Sequence, residues 1–278
     1  MTAARLTGRF SACAAEDRAA FVTYVMAGDP GPDASFEILT QLAGQADIIE
    51  LGMPFSDPMA EGPAIQKAAQ RSLKAGTKMR DVLDMVRRFR VSDDATPIVL
   101  MGYLNPVETR GYEAFAADAA EAGVDGLIIV DCPPEEAADL SRALKAHQLS
   151  LIRLATPTTD EARLKVVAED TSGFVYYVSV AGVTGVKEAD ASAVAPAVAR
   201  IRVATGLPVA VGFGIKTPER AAEVARVADA VVVGSALVEE IDRALAENRP
   251  VVPAVISSAA DMKSAVRAAR LARAEKER

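Results

Sequence analysis

The sequence predicts an α/β fold, a closed (β/α)8 (TIM) barrel with an extra N-terminal helix and a C-terminal helix. Eight short runs rich in Val, Ile and Leu recur along the chain, and stretches of helix-forming residues lie between them. The runs are almost continuously apolar, as expected for strands buried on both faces of a parallel sheet. Eight such units favour a closed barrel, and a doubly wound open sheet is the alternative. The 278 residues suit one domain, because no Pro/Ser/Gly-rich linker divides them.

The predicted elements follow one another in a regular order. In chain order the strands occupy residues 21–28, 46–53, 97–103, 126–131, 149–155, 173–179, 208–214 and 229–235. The intervening segments 133–148 and 217–228 both open with Pro and Glu, a pattern typical of helix N-termini. Residues 1–20 are predicted to form a helix that plugs or flanks the barrel, and residues 260–274 are predicted to form a terminal helix.

Charge and histidine content exclude several classes of function. The 31 Lys and Arg against 38 Asp and Glu give a net charge of −7, which disfavours binding to nucleic acid. His147 is the only histidine and falls near the end of a predicted helix. Catalytic Ser-His-Asp or Cys-His sets and histidine-based metal sites are therefore disfavoured. Acid–base chemistry has to come from carboxylates, Tyr or Lys.

The N-terminal sequence and the cysteine content favour a cytoplasmic protein. Cys13 and Cys132 are the only cysteines and stand far apart in the sequence, which favours a reduced, intracellular location. The first 15 residues contain no long apolar run of the kind found in a secretory signal. No stretch of about 18 apolar residues is present, so no membrane span is predicted.

Polar residues at the predicted strand ends are the candidates for chemistry, because active sites in such barrels lie at the C-terminal ends of the strands. Strand 2 carries Glu50 within an apolar run, and Glu61 follows 11 residues later in a turn-rich loop. A buried unpaired carboxylate is costly, so Glu50 is a candidate acid–base group whose pKa is raised by apolar neighbours. Strand 3 ends at Tyr103 and Asn105, and strand 4 ends at Asp131.

Glycines after the last three strands predict a phosphate site. Gly182 and Gly185 follow strand 6, Gly212 and Gly214 end strand 7, and the pair Gly234–Ser235 opens a helix after strand 8. Glycine lets backbone N–H groups approach an anion closely, and a helix N-terminus favours negative charge. No metal cluster or dinucleotide fingerprint is apparent. Together these features predict cofactor-free proton-transfer chemistry on a sugar or triose phosphate, such as isomerisation, epimerisation or carbon–carbon cleavage.

At these positions the sequence resembles the tryptophan synthase alpha chain family. The matching segments follow in order and span nearly the whole chain: "IELGMPFSDPMAEGPAIQ", "MGYLNPV", "VDCPPEE", "SVAGVTG", "GFGIKTPE" and "VVVGSALV". The resemblance implies a (β/α)8 barrel that cleaves indole-3-glycerol phosphate to indole and glyceraldehyde 3-phosphate by a retro-aldol step. It also implies no cofactor in this chain and a partner beta chain that carries pyridoxal phosphate, in an α2β2 complex.

The resemblance assigns expected roles to individual residues. Glu50 matches the catalytic carboxylic acid, and Glu61 stands where the family has a second acid facing the indole N–H. The substrate-binding residues that the resemblance implies are Tyr176, Gly185, Gly214, Gly234 and Ser235. Tyr103, at the end of strand 3, is a further candidate to hydrogen-bond the substrate. Loops carrying Asp57, Pro58, Asn105 and Pro133 are expected to face the beta chain.

Glu61 departs from the family's pattern, in which this position is Asp. The added methylene moves the carboxylate by about one C–C bond, and a misplacement of about 1 Å can cost about 100-fold in rate. A shift of the loop could compensate. Two alternatives stay open on the sequence: a weakly active or non-catalytic barrel that binds a phosphorylated ligand and regulates a beta chain, and a related phosphate-binding isomerase or epimerase.

Overall fold

The structure, a computed structural model, is a closed barrel of eight parallel strands in sequential order. It describes residues 2–179, 191–212 and 214–270. The strands are β1 (Ala20–Met26), β2 (Ile48–Gly52), β3 (Ile98–Gly102), β4 (Gly126–Ile129), β5 (Ser150–Ala155), β6 (Val175–Val178), β7 (Val209–Gly212) and β8 (Ala230–Val233). Pairing of β1 with β8 closes the barrel. The predicted fold class and all eight predicted strands are confirmed.

Helices surround the barrel and connect its strands. They are α1 (Thr2–Ala15), α2 (Pro32–Leu42), α3 (Pro63–Lys74), α4 (Met79–Arg90), α5 (Leu104–Arg110), α6 (Tyr112–Ala122), α7 (Ala138–Ala146), α8 (Glu161–Glu169), α9 (Ala191–Thr205), α10 (Pro218–Ala225), α11 (Ser235–Ala246) and α12 (Val251–Ala268). A short 3-10 helix spans Pro134–Glu136. Two helices each follow β2 and β3, whereas the predicted pattern had one. Within the described residues, no helix combines the length and apolar character needed to cross a membrane.

Alternation along the strands separates two apolar cores. Interior positions such as Val22, Ile48 and Val99 form one cluster inside the barrel, and Leu6 and Phe10 of α1 join it. The predicted N-terminal helix is therefore confirmed, and it packs against the interior of the barrel. The other strand positions, with the buried faces of the surrounding helices, form the larger core between sheet and helices.

The predicted C-terminal helix is present, but its predicted bounds were wrong. It begins at Val251 rather than residue 260 and ends at Ala268. Pro250 and Pro253 suggest a break, yet a proline in the first turn of a helix removes no intrahelical hydrogen bond. Val255, Ala259, Met262 and Val266 are buried at helical spacing, so one face of α12 packs on the barrel from its start.

Asn105 lies in helix α5 and not, as predicted, in a loop. The prediction placed Asn105 at the end of strand 3, on a loop facing the beta chain. Helix α5 begins at Leu104, so Pro106 falls in its first turn, where it is tolerated. Gly111, at φ 87°, then separates α5 from α6.

Candidate active site

A cavity opens at the C-terminal ends of the strands and contains both predicted acids. With its mouth it encloses about 570 Å³, within the usual range of small-molecule sites. Its lining residues are Tyr24, Glu50, Glu61, Ile65, Met101, Leu154, Tyr176, Val178, Gly214, Ile215, Val232, Gly234 and Ser235. The cavity is therefore mostly apolar, with two carboxyl groups and a patch of glycines.

Glu50 is a buried acid on the interior face of β2. Its neighbours on either side at this face, Ile48 and Gly52, alternate with the outward Ile49 and Leu51 of the outer core. The side chain is fully buried, and among the described residues neither carboxyl oxygen has a hydrogen-bond partner. Burial, with a smaller contribution from Glu61, raises the pKa of Glu50 to about 8. At neutral pH Glu50 therefore carries a proton and can act as an acid.

Glu61 reaches the same cavity from the loop between β2 and α3. The loop turns back at Pro58, whose carbonyl accepts the Glu61 N–H at 3.1 Å. The Gln66 side chain of α3 donates to the Glu61 carbonyl at 2.8 Å. The residue is 6% exposed, and burial raises the pKa of its carboxyl to about 7. Residue 61 is thus fixed at its backbone, while its carboxylate faces the cavity.

Two tyrosines line the cavity beside these acids, each next to a glycine that makes room for it. A Cβ on Gly52 would lie 2.3 Å from the Tyr24 hydroxyl, and one on Gly212 would lie 2.1 Å from the Tyr176 hydroxyl. Burial and the nearby Glu50 and Glu61 raise the pKa of both phenols well above 10. Both tyrosines therefore remain neutral hydrogen-bonding groups at the cavity wall.

The opposite side of the cavity offers backbone donors to an anion. Gly214 adopts φ 69°, a conformation that favours glycine. Helix α11 begins at Ser235, and no side chain caps its N-terminus at Gly234. The first N–H groups of a helix have no partner within it, so this end can receive a phosphate. Gly185, the remaining glycine predicted to bind substrate, lies outside the described residues.

Tyr103 lies beside the cavity and holds the loop that carries Glu61. The Ala60 N–H donates to its hydroxyl at 2.9 Å, and its ring stacks on Phe55 with centroids 5.2 Å apart. Tyr103 is 3% exposed, and it is not one of the residues that line the cavity. The structure therefore places this predicted substrate-binding residue behind the loop.

The residues expected to face a partner lie away from the cavity lining. Asp57 and Pro58 are in the β2–α3 loop, where the Ser56 hydroxyl donates to Asp57 at 2.5 Å. Asn105 is exposed on α5, and Pro133 directly precedes the 3-10 helix. The single histidine, His147, is at the C-cap of α7 and lies 2.9 Å from Glu113, away from the cavity.

Sequence analysis missed Tyr24 and the apolar wall of the cavity. Tyr24 pairs in register with Glu50, one strand away. The sequence pattern could have predicted Tyr24, because every second residue of β1, namely Ala20, Val22 and Tyr24, faces the barrel interior. The wall residues Ile65 and Met101 come from α3 and β3, and only the packing of the chain selects them. Among the described residues, no three His, Cys, Asp or Glu side chains are grouped to hold a metal ion.

Comparison with known proteins identifies similar chains along almost the entire length. The family model described as tryptophan synthase alpha chain matches residues 10–267. The tryptophan synthase alpha chain of Phenylobacterium zucineum is 66% identical over 271 residues, covering 97% of this chain and 98% of that protein. That of Caulobacter vibrioides is 64% identical over 272 residues, covering 98% and 99%. The solved tryptophan synthase subunit alpha of Legionella pneumophila has a TM-score of 0.88 at 42% identity, with 94% and 98% covered.

Proposed function

The chain belongs to the tryptophan synthase alpha chain family, a lyase that cleaves indole-3-glycerol phosphate, and we propose that Glu50 and Glu61 carry out this cleavage in the cavity. The products are indole and glyceraldehyde 3-phosphate. The observation that carries the proposal is the buried Glu50 carboxyl, which lines the cavity and has no hydrogen-bond partner in the part of the chain that the structure describes. A buried carboxyl group without a hydrogen-bond partner lowers the stability of the fold, so its presence indicates a role in binding a ligand.

Glu50 serves as both acid and base. Its protonated carboxyl gives a proton to C3 of the indole, which turns the ring into an electron sink. The bond between C3 and the hydroxyl-bearing carbon of the substrate's glycerol phosphate chain then breaks, and the electron pair of this bond restores the aromatic indole. The Glu50 carboxylate takes the hydroxyl proton as the aldehyde forms. Glu50 thus gives one proton to the substrate and regains one from it. A pKa of about 8 suits a carboxyl group that first donates a proton and then accepts one at neutral pH.

Glu61 stabilises the positive charge that develops on the indole nitrogen. When C3 gains its proton, the ring nitrogen becomes an iminium centre with an N–H donor. A carboxylate aimed at this N–H in an apolar site stabilises the charged state more than the substrate. The pKa of Glu61, raised to about 7 by burial, leaves a large ionised fraction at neutral pH, and the developing cation increases that fraction.

The remaining lining residues hold the two ends of the substrate. Gly234 and Ser235 at the start of α11, with Gly214 in the loop after β7, bind the phosphate through backbone N–H groups. Gly185, outside the described residues, is proposed to join them. The apolar wall formed by Met101, Leu154 and other residues holds the flat indole ring. Tyr176 lines the same cavity and is proposed to orient the reacting carbon.

Indole release from indole-3-glycerol phosphate tests these roles. Glu50→Gln keeps the shape of the side chain but removes the proton, and we expect loss of activity by at least about 1,000-fold, in the upper range of one acid–base group. Because no described residue hydrogen-bonds to the Glu50 carboxyl, the variant is expected to remain folded by circular dichroism. Normal indole release by Glu50→Gln would reject the assignment.

The length of the Glu61 side chain is tested in the same assay. Glu61→Gln keeps the length and removes the charge, and we expect a loss of about 100- to 1,000-fold in kcat. Glu61→Asp keeps the charge but retracts the carboxylate, and we expect a loss of about 10- to 100-fold, because the backbone at residue 61 is fixed by Pro58 and Gln66. Faster turnover by Glu61→Asp than by the natural chain would show that the glutamate is misplaced.

The same family membership supports a partner. We propose that the chain works in the cytoplasm in an α2β2 complex with a beta chain that carries pyridoxal phosphate, and that this chain needs no cofactor. The proposed contact surface is the rim formed by Asp57, Pro58, Asn105 and Pro133. Met59 in the same rim is 79% exposed, and large exposed apolar side chains in a polar rim are typical of contact surfaces.

Light scattering of the chain mixed with a pyridoxal-phosphate-loaded beta chain tests this surface. The natural chain is expected to give an α2β2 mass, and Met59→Asp is expected to weaken the complex at least about 10-fold, since it buries a charge in the contact. Val203→Asp is the control, because Val203 is 87% exposed on α9. Equal weakening by both variants would place the partner surface elsewhere.

A further inference from the structure

A second cavity lies outside the barrel wall, around Arg153 of β5. Its lining residues are Ile129, Val130, Asp131, Cys132, Pro133, Pro134, Leu151, Ile152, Arg153, Leu154 and Val167. Arg153 shares the outer face of β5 with Leu151, which belongs to the core between sheet and helices. With its mouth the cavity encloses about 740 Å³. Leu154 lines both this cavity and the candidate active site, so β5 separates the two.

Arg153 is buried, and no described residue accepts a hydrogen bond from its Nε atom. The residue is 6% exposed, and the Nε atom itself is buried. Among the described residues, no carboxylate lies within ion-pair distance of its guanidinium. Burial lowers the pKa of Arg153, yet a guanidinium stays charged in a protein. A buried arginine without a counter-ion lowers the free energy of unfolding, and an anion bound to its guanidinium would restore it.

The nearby acids do not fill this role, because they are already occupied. Glu135 accepts hydrogen bonds from Arg163, and Asp170 accepts one from Lys145 at 2.5 Å. Asp131 lines the cavity, and its carboxylate accepts the Leu104 N–H at 2.8 Å. Asp170 and Glu135 interact with the charge of Arg153, so the acids around the site repel a second negative charge on a ligand. The site therefore favours a monoanion over a phosphate dianion.

We propose that this cavity binds a small organic monocarboxylate, whose carboxylate pairs with Arg153 and whose apolar part packs on the surrounding wall. Guanidinium and carboxylate groups match in bidentate geometry. Ile129, Leu151, Val167 and the two prolines supply the apolar contact. Cys132 lies beside the ligand at the half-buried edge of the cavity.

Cys132 provides a direct measurement of occupancy. The other cysteine, Cys13, is 1% exposed, and burial raises the pKa of its thiol to about 12, so iodoacetamide is expected to react at Cys132. Benzoate is the probe, benzamide is its neutral isostere, and inorganic phosphate is the dianionic comparison. In the full chain we expect benzoate to slow alkylation of Cys132 several-fold and to raise the melting temperature, with little effect of benzamide or phosphate.

Arg153→Met and Arg153→Gln complete the test. Both remove the buried charge, and we expect both to be at least as stable as the natural chain without ligand and to lose the benzoate response. Arg87→Met, at a partly exposed position of α4, is the control and is expected to keep the benzoate response. Equal protection by benzoate and benzamide, or a benzoate response that survives in both Arg153 variants, would overturn the proposal. Protection by phosphate that depends on Arg153 would overturn the choice of a monocarboxylate. Slowed alkylation in the natural chain supports the site even if neither variant folds.

Discussion

Glu50 and Glu61 are carboxyl groups held in an apolar cavity, and this makes the stability of the folded chain depend on pH. Burial raises the pKa of Glu50 to about 8 and that of Glu61 to about 7, whereas a Glu in an unfolded chain titrates near pH ~4.3. Between these values the folded chain holds protons that the unfolded chain has released. The free energy of unfolding therefore falls as the pH rises from about 5 to about 8.

Urea unfolding at about pH 5 and about pH 8.5 measures this dependence. A pKa raised by one unit corresponds to about 1.4 kcal/mol, so the two acids together remove several kcal/mol of stability at the higher pH. Glu50→Gln cannot ionise, and we expect it to be more stable than the natural chain at high pH and to lose less stability between the two values.

The variant with both Glu50→Gln and Glu61→Gln serves as the comparison for the same experiment. It removes both titrating groups, so its stability is expected to depend on pH less than that of Glu50→Gln alone. A natural chain and a Glu50→Gln variant with the same pH dependence would contradict the raised pKa of Glu50.

At the scale of elements, the loop between β2 and α3 decides where Glu61 stands. Its two ends are fixed, since it leaves β2 after Gly52 and enters α3 at Pro63. Its middle is held from β3, through the Ala60 N–H bond to the Tyr103 hydroxyl and the stacking of Tyr103 on Phe55. Tyr103, which directly follows β3, thus helps to position Glu61 in the loop that follows β2.

Tyr103→Phe tests this coupling. The change removes one hydrogen-bond acceptor, worth about 0.5–1.5 kcal/mol, and leaves the ring stacking in place. We expect kcat/KM for indole release to fall by roughly 3- to 10-fold, with little change in the free energy of unfolding beyond that bond. Tyr112→Phe is the control, since its hydroxyl donates to exposed Glu108 at 3.3 Å. The idea fails if both variants retain full activity.

At the scale of the whole molecule, Asp125 ties several elements together at the N-terminal end of the barrel. Its carboxylate accepts hydrogen bonds from Arg5 of α1, Arg90 of α4 and the backbone N–H of Ile98, each at 2.8 Å. The side chain is fully buried. One carboxylate therefore joins the N-terminal helix, an outer helix and the strand wall, at the end opposite the candidate active site.

Asp125→Ala is expected to destabilise the fold without changing the chemistry. Removing one member of a buried charged cluster costs about 3–5 kcal/mol, because Arg5 and Arg90 lose their shared carboxylate. Urea unfolding measures this loss, and the kcat of the folded fraction is expected to stay unchanged. Asp84→Ala is the control, because Asp84 pairs with Arg87 on the surface and such pairs contribute at most about 1 kcal/mol. A loss of activity larger than the loss of folded protein would contradict this separation.

Predictions from the sequence were correct where a local pattern is compatible with only one secondary structure. Apolar runs such as residues 46–53 located every strand, because a strand buried on both faces needs apolar side chains along its whole length. The bounds of two helices were predicted wrongly. Asn105 is predicted in a loop but lies in the first turn of α5, and the last helix is predicted from residue 260 but begins at Val251. Packing on the barrel decided both in favour of the helix.

The sequence by itself determined the barrel, the strand that carries Glu50 and the end of the barrel at which Glu50 and Glu61 stand. These follow from periodicity and from the direction of parallel strands, which are properties of neighbouring residues. Tertiary structure alone decided that Tyr24 of β1 faces Glu50 of β2, that Tyr103 holds the Glu61 loop, and that the Nε atom of Arg153 is buried with no hydrogen-bond partner among the described residues. Such relations depend on which strands become neighbours and how helices cover them, since burial and contact arise only when distant segments meet.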